Sequence, residues 1–122
     1  MSSVLNNKKF GNCLVHLTAN ATLVVVGNNS VSNVAVSDET VQGASIRRVW
    51  FGSSHNGHWT VYRGSNTMLV LGGTGYLDFV PGNVLTKDRT ANLVFTLNNT
   101  TTGFILAEIQ KETSGTPSEY NR

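Results

Sequence analysis

The chain has 122 residues, of which 13% are charged, about half the share usual in soluble domains. Nine basic and seven acidic residues give a net charge of +2, too small for the concentrated basic face of a general nucleic-acid binder. No apolar run approaches the ~18 residues of a membrane span, and the opening "MSSVLNNKKF" lacks the apolar segment of a secretion signal. We therefore expect one domain that binds neither nucleic acid nor a membrane.

The chain is predicted to have an N-terminal arm over residues 1–12, a β-domain over 13–111 and a C-terminal tail over 112–122. Both ends are polar and lack a packing pattern, which is typical of flexible arms. Within the domain, β-branched and aromatic residues favour strands over 13–17, 21–26, 31–36, 45–51, 58–63, 66–71 and 76–80.

Turn residues indicate how some of these strands connect. The first two runs form either a hairpin or one interrupted strand. Between 58–63 and 66–71, Gly64-Ser65 has glycine first, which is the pattern of a two-residue type II′ hairpin. Asn56-Gly57, in the connection 52–57, is an equally strong hairpin signal.

The last two predicted strands, 91–97 and 104–111, alternate most clearly and flank a polar turn, so they predict a hairpin. The residues expected to share a face are Leu93, Phe95 and Leu97 on the first strand, and Ile105, Ala107 and Ile109 on the second. Such alternation is typical of a sheet with one wet face. No segment has a helical period, and about eight short strands predict an all-β fold, an antiparallel β-sandwich or jelly-roll-like domain.

The stretch "GSSHNGHW" contains two of the three histidines, His55 and His58. A zinc site needs three or four ligands, and the other candidates, Cys13 and His16, lie on a distant segment. We interpret the stretch as a polar turn whose second histidine begins a strand. A metal site shared between subunits is the alternative.

The sequence contains no pattern that favours catalysis. Serine does not occur in a Gly-x-Ser-x-Gly turn, and Cys13 lies in an apolar run with His16 on the opposite strand face. The acidic residues show no pairing of the kind that glycoside hydrolysis requires. Because Cys13 is the single cysteine, no disulfide can form within the chain, which fits assembly in a reducing compartment. We expect no enzymatic activity, no cofactor and no bound metal.

Aromatic residues and arginines cluster in the centre of the chain. Trp50 and Trp59 flank the turn at 52–57 and are expected to be cross-strand neighbours, and the adjacent Arg47 and Arg48 are expected on opposite faces. The aromatic side chains form sheet packing, a sugar-stacking platform or a protein interface. Apolar residues on both faces of "RRVWF" and "MLVL" favour contact with a second subunit. The interface candidates are Arg47, Arg48, Trp50, Trp59, Tyr62 and Arg63.

Residues 46–111 resemble small virion structural proteins of tailed bacteriophages. Those proteins have a Val-Trp strand, then Trp-x-x-x-Arg-Gly, then Leu-x-Gly-Thr-Gly followed by an aromatic residue and Asp, and a closing strand that ends in Lys. The matching residues here are Val49-Trp50, Trp59 with Arg63-Gly64, Leu71 with Gly73-Thr74-Gly75, then Tyr76, Asp78 and Phe79, and finally Leu106 to Lys111. The closing strand departs from the pattern at Glu108-Ile109-Gln110.

This resemblance implies a capsid decoration or cement protein, located on the virion surface after assembly in the host cytoplasm. Such proteins are β-sandwiches or jelly rolls, often homo-oligomers and frequently trimers, and they dock on the major capsid protein with the help of terminal arms. The resemblance implies no catalytic or binding residue. A tail, neck or fibre component of the virion and a carbohydrate-binding β-sandwich module remain the alternatives.

Overall fold

The computed structural model describes residues 2–7, 11–28, 32–36, 40–79 and 90–113, and these ranges contain ten strands and no helix. The strands are β1 (Ser2–Asn7), β2 (Asn12–Leu17), β3 (Ala21–Leu23), β4 (Gly27–Asn28), β5 (Thr40–Ser53), β6 (His58–Arg63), β7 (Asn66–Gly72), β8 (Gly75–Asp78), β9 (Leu93–Asn98) and β10 (Gly103–Thr113). Within these ranges there is no helix of the length and apolarity that are needed to cross a membrane.

The strands form two antiparallel sheets that pack against each other, and this confirms the predicted all-β sandwich. The first sheet has the order β1-β2-β10-β5-β4, and β8 pairs with β5 on the same edge as β4 but at the other end. The second sheet has the order β3-β9-β6-β7. The two longest strands, β5 and β10, pair with each other and form the centre of the first sheet.

One apolar core lies between the sheets. The residues predicted to face the core on the last two strands do so, except that Leu97 is only partly buried. Trp59 and Phe95, both from the second sheet, are the largest apolar side chains that are fully buried. Burial of a side chain of this size stabilises the fold by roughly 2–3 kcal/mol.

Three of the connections that join the two sheets differ from the prediction, because the sequence predicts two of them as hairpins and the third as a hairpin or a break within one strand. The strands β2, β5 and β10 belong to the first sheet, whereas β3, β6 and β9 belong to the second. At the connection from β5 to β6, Gly57 N donates to Ser54 O at 2.8 Å and Asn56 has a left-handed φ of 65°. A turn therefore forms where it was predicted, but Asn56 and Gly57 are its third and fourth residues and not the central pair of a two-residue hairpin, and the strands that it joins are not partners. Trp50 and Trp59 consequently lie in different sheets, and their expected pairing is wrong.

The hairpin predicted at Gly64-Ser65 is confirmed. Arg63 pairs with Asn66, so two residues form the loop between β6 and β7. Gly64 has a φ of 59°, a conformation that costs a residue with a side chain roughly 1–2 kcal/mol. Glycine at the first loop position therefore allows the tight connection.

The strand predicted over 31–36 is wrong for the described residues 32–36, which form no strand. Ser32 Oγ donates to Val25 O at 2.7 Å and accepts a hydrogen bond from Val34 N at 3.2 Å. Asn33 Oδ1 accepts a hydrogen bond from Val24 N at 2.6 Å. These local side-chain bonds satisfy backbone groups that a strand would pair with a neighbour.

The predicted terminal arms are shorter than expected. Residues Ser2–Asn7 form β1, an edge strand paired with β2, so the arm prediction is wrong over this range. The end of β1 is fixed by Lys111 Nζ, which donates to Asn7 Oδ1 at 2.5 Å. At the other terminus, β10 extends to Thr113, and the rest of the predicted tail, 114–122, lies outside the described residues.

Candidate binding face

A β-bulge in β5 determines which side chains reach the outer surface of the first sheet. The register with β10 steps from Ile46 to Arg48, so Arg47 is the extra residue. Ile46 faces the core, and regular alternation would also turn Arg48 inward. The extra residue instead buries Val49 and places Arg48 and Trp50 on the outer face.

Trp50 forms the centre of an aromatic row on this outer face. Its cross-strand partners are Tyr76 on β8 and Leu106 on β10, and cross-strand partners share a face. The rings of Trp50 and Tyr76 stack with their centroids 5.1 Å apart and their planes inclined by 29°. Tyr76 is 46% exposed, whereas Trp50 and Leu106 are half-buried.

Phe104 extends the row at one end. It pairs with Gly52 and lies over this glycine, because a Cβ atom at Gly52 would be 2.5 Å from Cε1 of the Phe104 ring. Phe104 is 38% exposed, although it is a large apolar side chain. The glycine thus allows the ring to lie flat against the sheet and leaves one ring surface available for contact.

A row of charges borders the aromatic residues. Arg48 Nη1 donates to Glu108 Oε1 at 2.8 Å, and its Nε lies 3.5 Å from Asp78 Oδ2. Tyr76 Oη donates to Asp78 Oδ2 at 3.1 Å. The negative charge of Glu108 is the main cause of a raised pKa at Arg48, and Asp78 adds to it against a cost of desolvation. Desolvation, followed by the hydrogen bond to Asp78, raises the pKa of Tyr76.

We call this surface the aromatic face, and its residues are Arg48, Trp50, Tyr76, Asp78, Phe104, Leu106 and Glu108. The two carboxylates share Arg48 as a partner, and the apolar side chains between them and Phe104 are available for contact.

Two interface candidates lie in the interior, and for them the prediction is wrong. Trp59 is fully buried, and its Nε1 donates to Gly52 O at 3.1 Å. Arg63 is 1% exposed, and its Nη1 donates to Ala44 O on β5, in the opposite sheet, at 2.8 Å. Neither side chain can contact a partner protein unless the domain opens.

The other four candidates are divided between the two sides of the molecule. Arg48 and Trp50 lie on the aromatic face, and Arg47 is the half-buried bulge residue beside them. Tyr62 lies on the outer surface of the second sheet, because it alternates with the buried Val61. The structure therefore does not bring the six candidates together.

We call the outer surface of the second sheet the threonine face. Cross-strand pairing places Tyr62 there among a histidine and small polar or β-branched residues, which are Thr22, His58, Thr60, Thr67, Val70, Val94, Thr96 and Asn98. Asn98 Nδ2 donates to Thr60 Oγ1 at 3.0 Å. No Asp, Glu, Lys or Arg occurs among these described residues, so the two outer surfaces differ in chemistry.

Most residues of the aromatic face are absent from the predicted interface, although the sequence contains a signal for them. Alternation on β10 places Ile105 and Ala107 toward the core, and the same rule places Phe104, Leu106 and Glu108 on the opposite surface. Two large apolar residues on the wet side of a strand are a sign of an interface. The position of Tyr76 beside Trp50 could not be predicted, because the pairing of β8 with β5 joins distant parts of the chain.

The histidine turn follows β5 at the end of the sandwich where Phe104 lies. His55 is exposed in the turn, and His58 begins β6, as predicted. Among the described residues, no three His, Cys, Asp or Glu side chains are close enough together to hold a metal ion. An open depression of about 330 Å³ at this end of the sandwich is lined by Ala19, Asn20, Leu97, Thr100 and Thr101. Its Asn20 Oδ1 already accepts a hydrogen bond from Leu97 N at 2.7 Å.

The aromatic face is thus a flat surface with apolar rings at its centre and ion pairs at its border. Such a surface can bind a partner by apolar contact and can orient it by charge. No protein family, curated protein or solved structure matches this chain.

Proposed function

We propose that this chain is a non-enzymatic structural protein of a phage virion, of the capsid decoration type, and that it docks on the shell through the aromatic face. The resemblance of residues 46–111 to small virion proteins supports the class. The observation that carries the proposal is the composition of the aromatic face. Tryptophan, tyrosine and arginine are the residues that dominate the binding energy of protein interfaces, and Trp50, Tyr76 and Arg48 lie side by side there.

The layout of this face also matches protein interfaces in general. Their centres are apolar and their rims are polar, and the rim excludes water from the centre. Here the apolar centre is formed by Trp50, Tyr76, Phe104 and Leu106, and the row through Arg48 forms one rim. The threonine face, which lacks charge and has small side chains, would remain in solvent.

The first test is binding of the purified chain to shells that lack it, measured by co-sedimentation. We expect the double substitution Trp50→Ala and Tyr76→Ala to weaken binding by at least about tenfold, because it removes the stacked pair. Tyr62→Ala is the matched control, since this tyrosine lies on the opposite surface. Equal binding by both variants, or failure of the unaltered chain to bind, would contradict the proposal.

The copy number in purified particles separates the shell from other positions in the virion. Quantitative mass spectrometry against the most abundant shell protein gives this ratio. A simple ratio to the shell subunit indicates decoration, whereas a small copy number set by the tail symmetry indicates a neck, tail or fibre component. Absence from particles would remove the virion proposal altogether.

A carbohydrate-binding module is the second candidate, and a specific observation favours it. Trp50 and Tyr76 stand next to the carboxylates of Asp78 and Glu108. A sugar ring packs its C–H groups on an aromatic ring, and its hydroxyls donate to carboxylates. The charged row has one positive and two negative groups, so it favours a neutral saccharide over an anionic one.

Isothermal calorimetry with neutral oligosaccharides tests this candidate. Binding that is lost in Tyr76→Ala and kept in Tyr62→Ala would support it. Absence of heat with every saccharide would eliminate it and leave the shell-binding proposal unaffected.

A further inference from the structure

The strand β7 forms an open edge of the second sheet. Among the described residues it pairs only with β6, and its sequence, "NTMLVLG", contains no charge and no proline. Val70, in this strand, is 66% exposed and is the most exposed large apolar residue of the described ranges. Sheet edges usually carry charges, prolines or other features that prevent pairing with another chain.

The direction of the backbone groups on β7 follows from one hydrogen bond. Gly64 N donates to Asn92 O at 2.8 Å, so the N–H of Gly64 points to the side of β6 where β9 lies. Backbone groups alternate in direction along a strand. Trp59 and Val61, at odd spacing from Gly64, therefore direct their groups toward β7.

The partners of these two residues on β7 are Leu71 and Leu69. Their backbone groups are occupied by β6, so those of the intervening Val70 point away from the sheet. The most exposed apolar side chain thus belongs to the residue whose N–H and C=O lie at the open edge. A bulge between Val61 and Tyr62 in the pairing lies toward the hairpin and leaves Leu69–Gly72 regular.

An antiparallel copy of β7 fits this edge. With Val70 on a two-fold axis, each Val70 exchanges both backbone hydrogen bonds with Val70 of the second copy. Leu69 then lies opposite Leu71 of the second copy, on the core side. A valine pair on one surface and two leucine pairs on the other are favourable cross-strand contacts, and identical uncharged strands do not repel each other.

The other described edges are less suited to this pairing. The strands β3 and β4 have only three and two residues, respectively. The strand β8 has four residues and includes Asp78, whose charge would meet its own copy across a two-fold axis. The strand β1 has an irregular register in its middle, between Val4 and Asn6.

We propose that the chain forms a two-fold dimer by antiparallel pairing of β7 with β7 of a second copy, which joins two four-stranded sheets into one of eight strands. This interaction is independent of the proposed virion role. It is also separate from the trimer that the resemblance implies, since a trimer would need another surface. A four-residue edge buries less than the ~1,200 Å² of a stable interface, so the dimer is expected to be weak and concentration-dependent.

Sedimentation velocity over a concentration series from micromolar to millimolar tests the dimer. We expect the unaltered chain to shift from monomer to dimer, and Val70→Lys to raise the dissociation constant by at least about tenfold, because it places two like charges side by side. Val26→Lys is the matched control, since Val26 is 42% exposed but lies outside the strands. Circular dichroism checks that both variants are folded.

Hydrogen exchange followed by NMR identifies the surface. In the dimer, the amide of Val70 should gain protection, while those of Leu69 and Leu71 change little because β6 already binds them. A chain that stays monomeric at all concentrations would overturn the proposal. A dimer that persists in Val70→Lys, or one that leaves the Val70 amide unprotected, would also overturn it.

Discussion

Arg63 and Arg48 have opposite roles, because the alternation of side chains along their strands places one in the core and the other on the outer surface. Trp59, Val61 and Arg63 share the core face of β6, and Arg63 reaches across the sandwich to the Ala44 carbonyl. Arg48 lies on the outer surface with two carboxylates. The first of these positions could have been predicted, because Arg63 is two residues from Val61. The second could not, because it depends on the bulge.

We expect Arg63→Ala to lower the free energy of unfolding by about 3–5 kcal/mol. The substitution leaves a cavity and removes the donor to a buried carbonyl. Arg48→Ala is the control, and we expect a much smaller loss of stability from it, because exposed ion pairs contribute little. Urea unfolding measures both, and similar costs for the two variants would contradict the described burial of Arg63.

We expect Asp78→Asn to lower the pKa of Tyr76 toward 10.0 without reaching it. The substitution removes a hydrogen-bonded negative charge that disfavours the phenolate, but desolvation of the ring, which is the larger cause, remains. Ultraviolet absorbance at alkaline pH measures the change, and Tyr76→Phe assigns the transition among the three tyrosines. A pKa of Tyr76 that is the same or higher in Asp78→Asn than in the unaltered chain would contradict the bond between the two side chains.

The sign of the linked stability follows from the same shift. The pKa of Tyr76 is raised in the folded state, so the protonated ring is the form that folding favours. Its contribution to stability is therefore complete below the unfolded value of 10.0 and is lost as the pH rises through the folded value.

At the scale of strands, the sequence predicts which way residues face better than it predicts which strands pair. The alternation in β9 and β10 gives the buried faces, and the run 58–63 matches β6. Pairing is set by contacts between distant segments. A turn motif such as Asn56-Gly57 can occur in a connection between two sheets as well as in a hairpin. The same long-range pairing extends β5 over Gly43-Ala44, which have no strand preference of their own.

Gly75 and Gly52 lie on opposite surfaces of the first sheet and allow a matched pair of substitutions. A Cβ atom at Gly75 would lie 2.8 Å from the ring of Phe51, which is buried, whereas one at Gly52 meets the exposed Phe104 ring. We expect Gly75→Ala to cost about 1–3 kcal/mol, because the core ring must shift, and Gly52→Ala to cost less. Thermal and urea unfolding measure the difference. The opposite order would show that Phe104 is held more firmly than its exposure indicates.

At the scale of the whole molecule, both sheets contribute to one core, so they are expected to unfold together. The buried residues of β2, β5 and β10 and those of β6 and β9 belong to a single cluster. The bond from Trp59 Nε1 to Gly52 O and that from Arg63 to Ala44 O also cross between the sheets. A chain of this size with one core usually unfolds in a single transition.

We expect the Trp50→Phe variant to show coincident denaturation curves by far-ultraviolet circular dichroism and by fluorescence. Trp59 is the remaining tryptophan in that variant and reports on the core, whereas the dichroism reports on all strands. Two separate transitions would show that one sheet stays folded after the other has unfolded, and this would contradict a shared core.

The contrast between the two outer surfaces has a consequence for any surface that the chain covers. One side carries rings and ion pairs, and the other carries hydroxyl and amide groups without a charged side chain among its described residues. A partner that docks on the aromatic face would be covered at that site, and the hydrated threonine face would become the surface in contact with solvent. The described part of that surface would carry no Asp, Glu, Lys or Arg side chain, whatever the charge of the material beneath it.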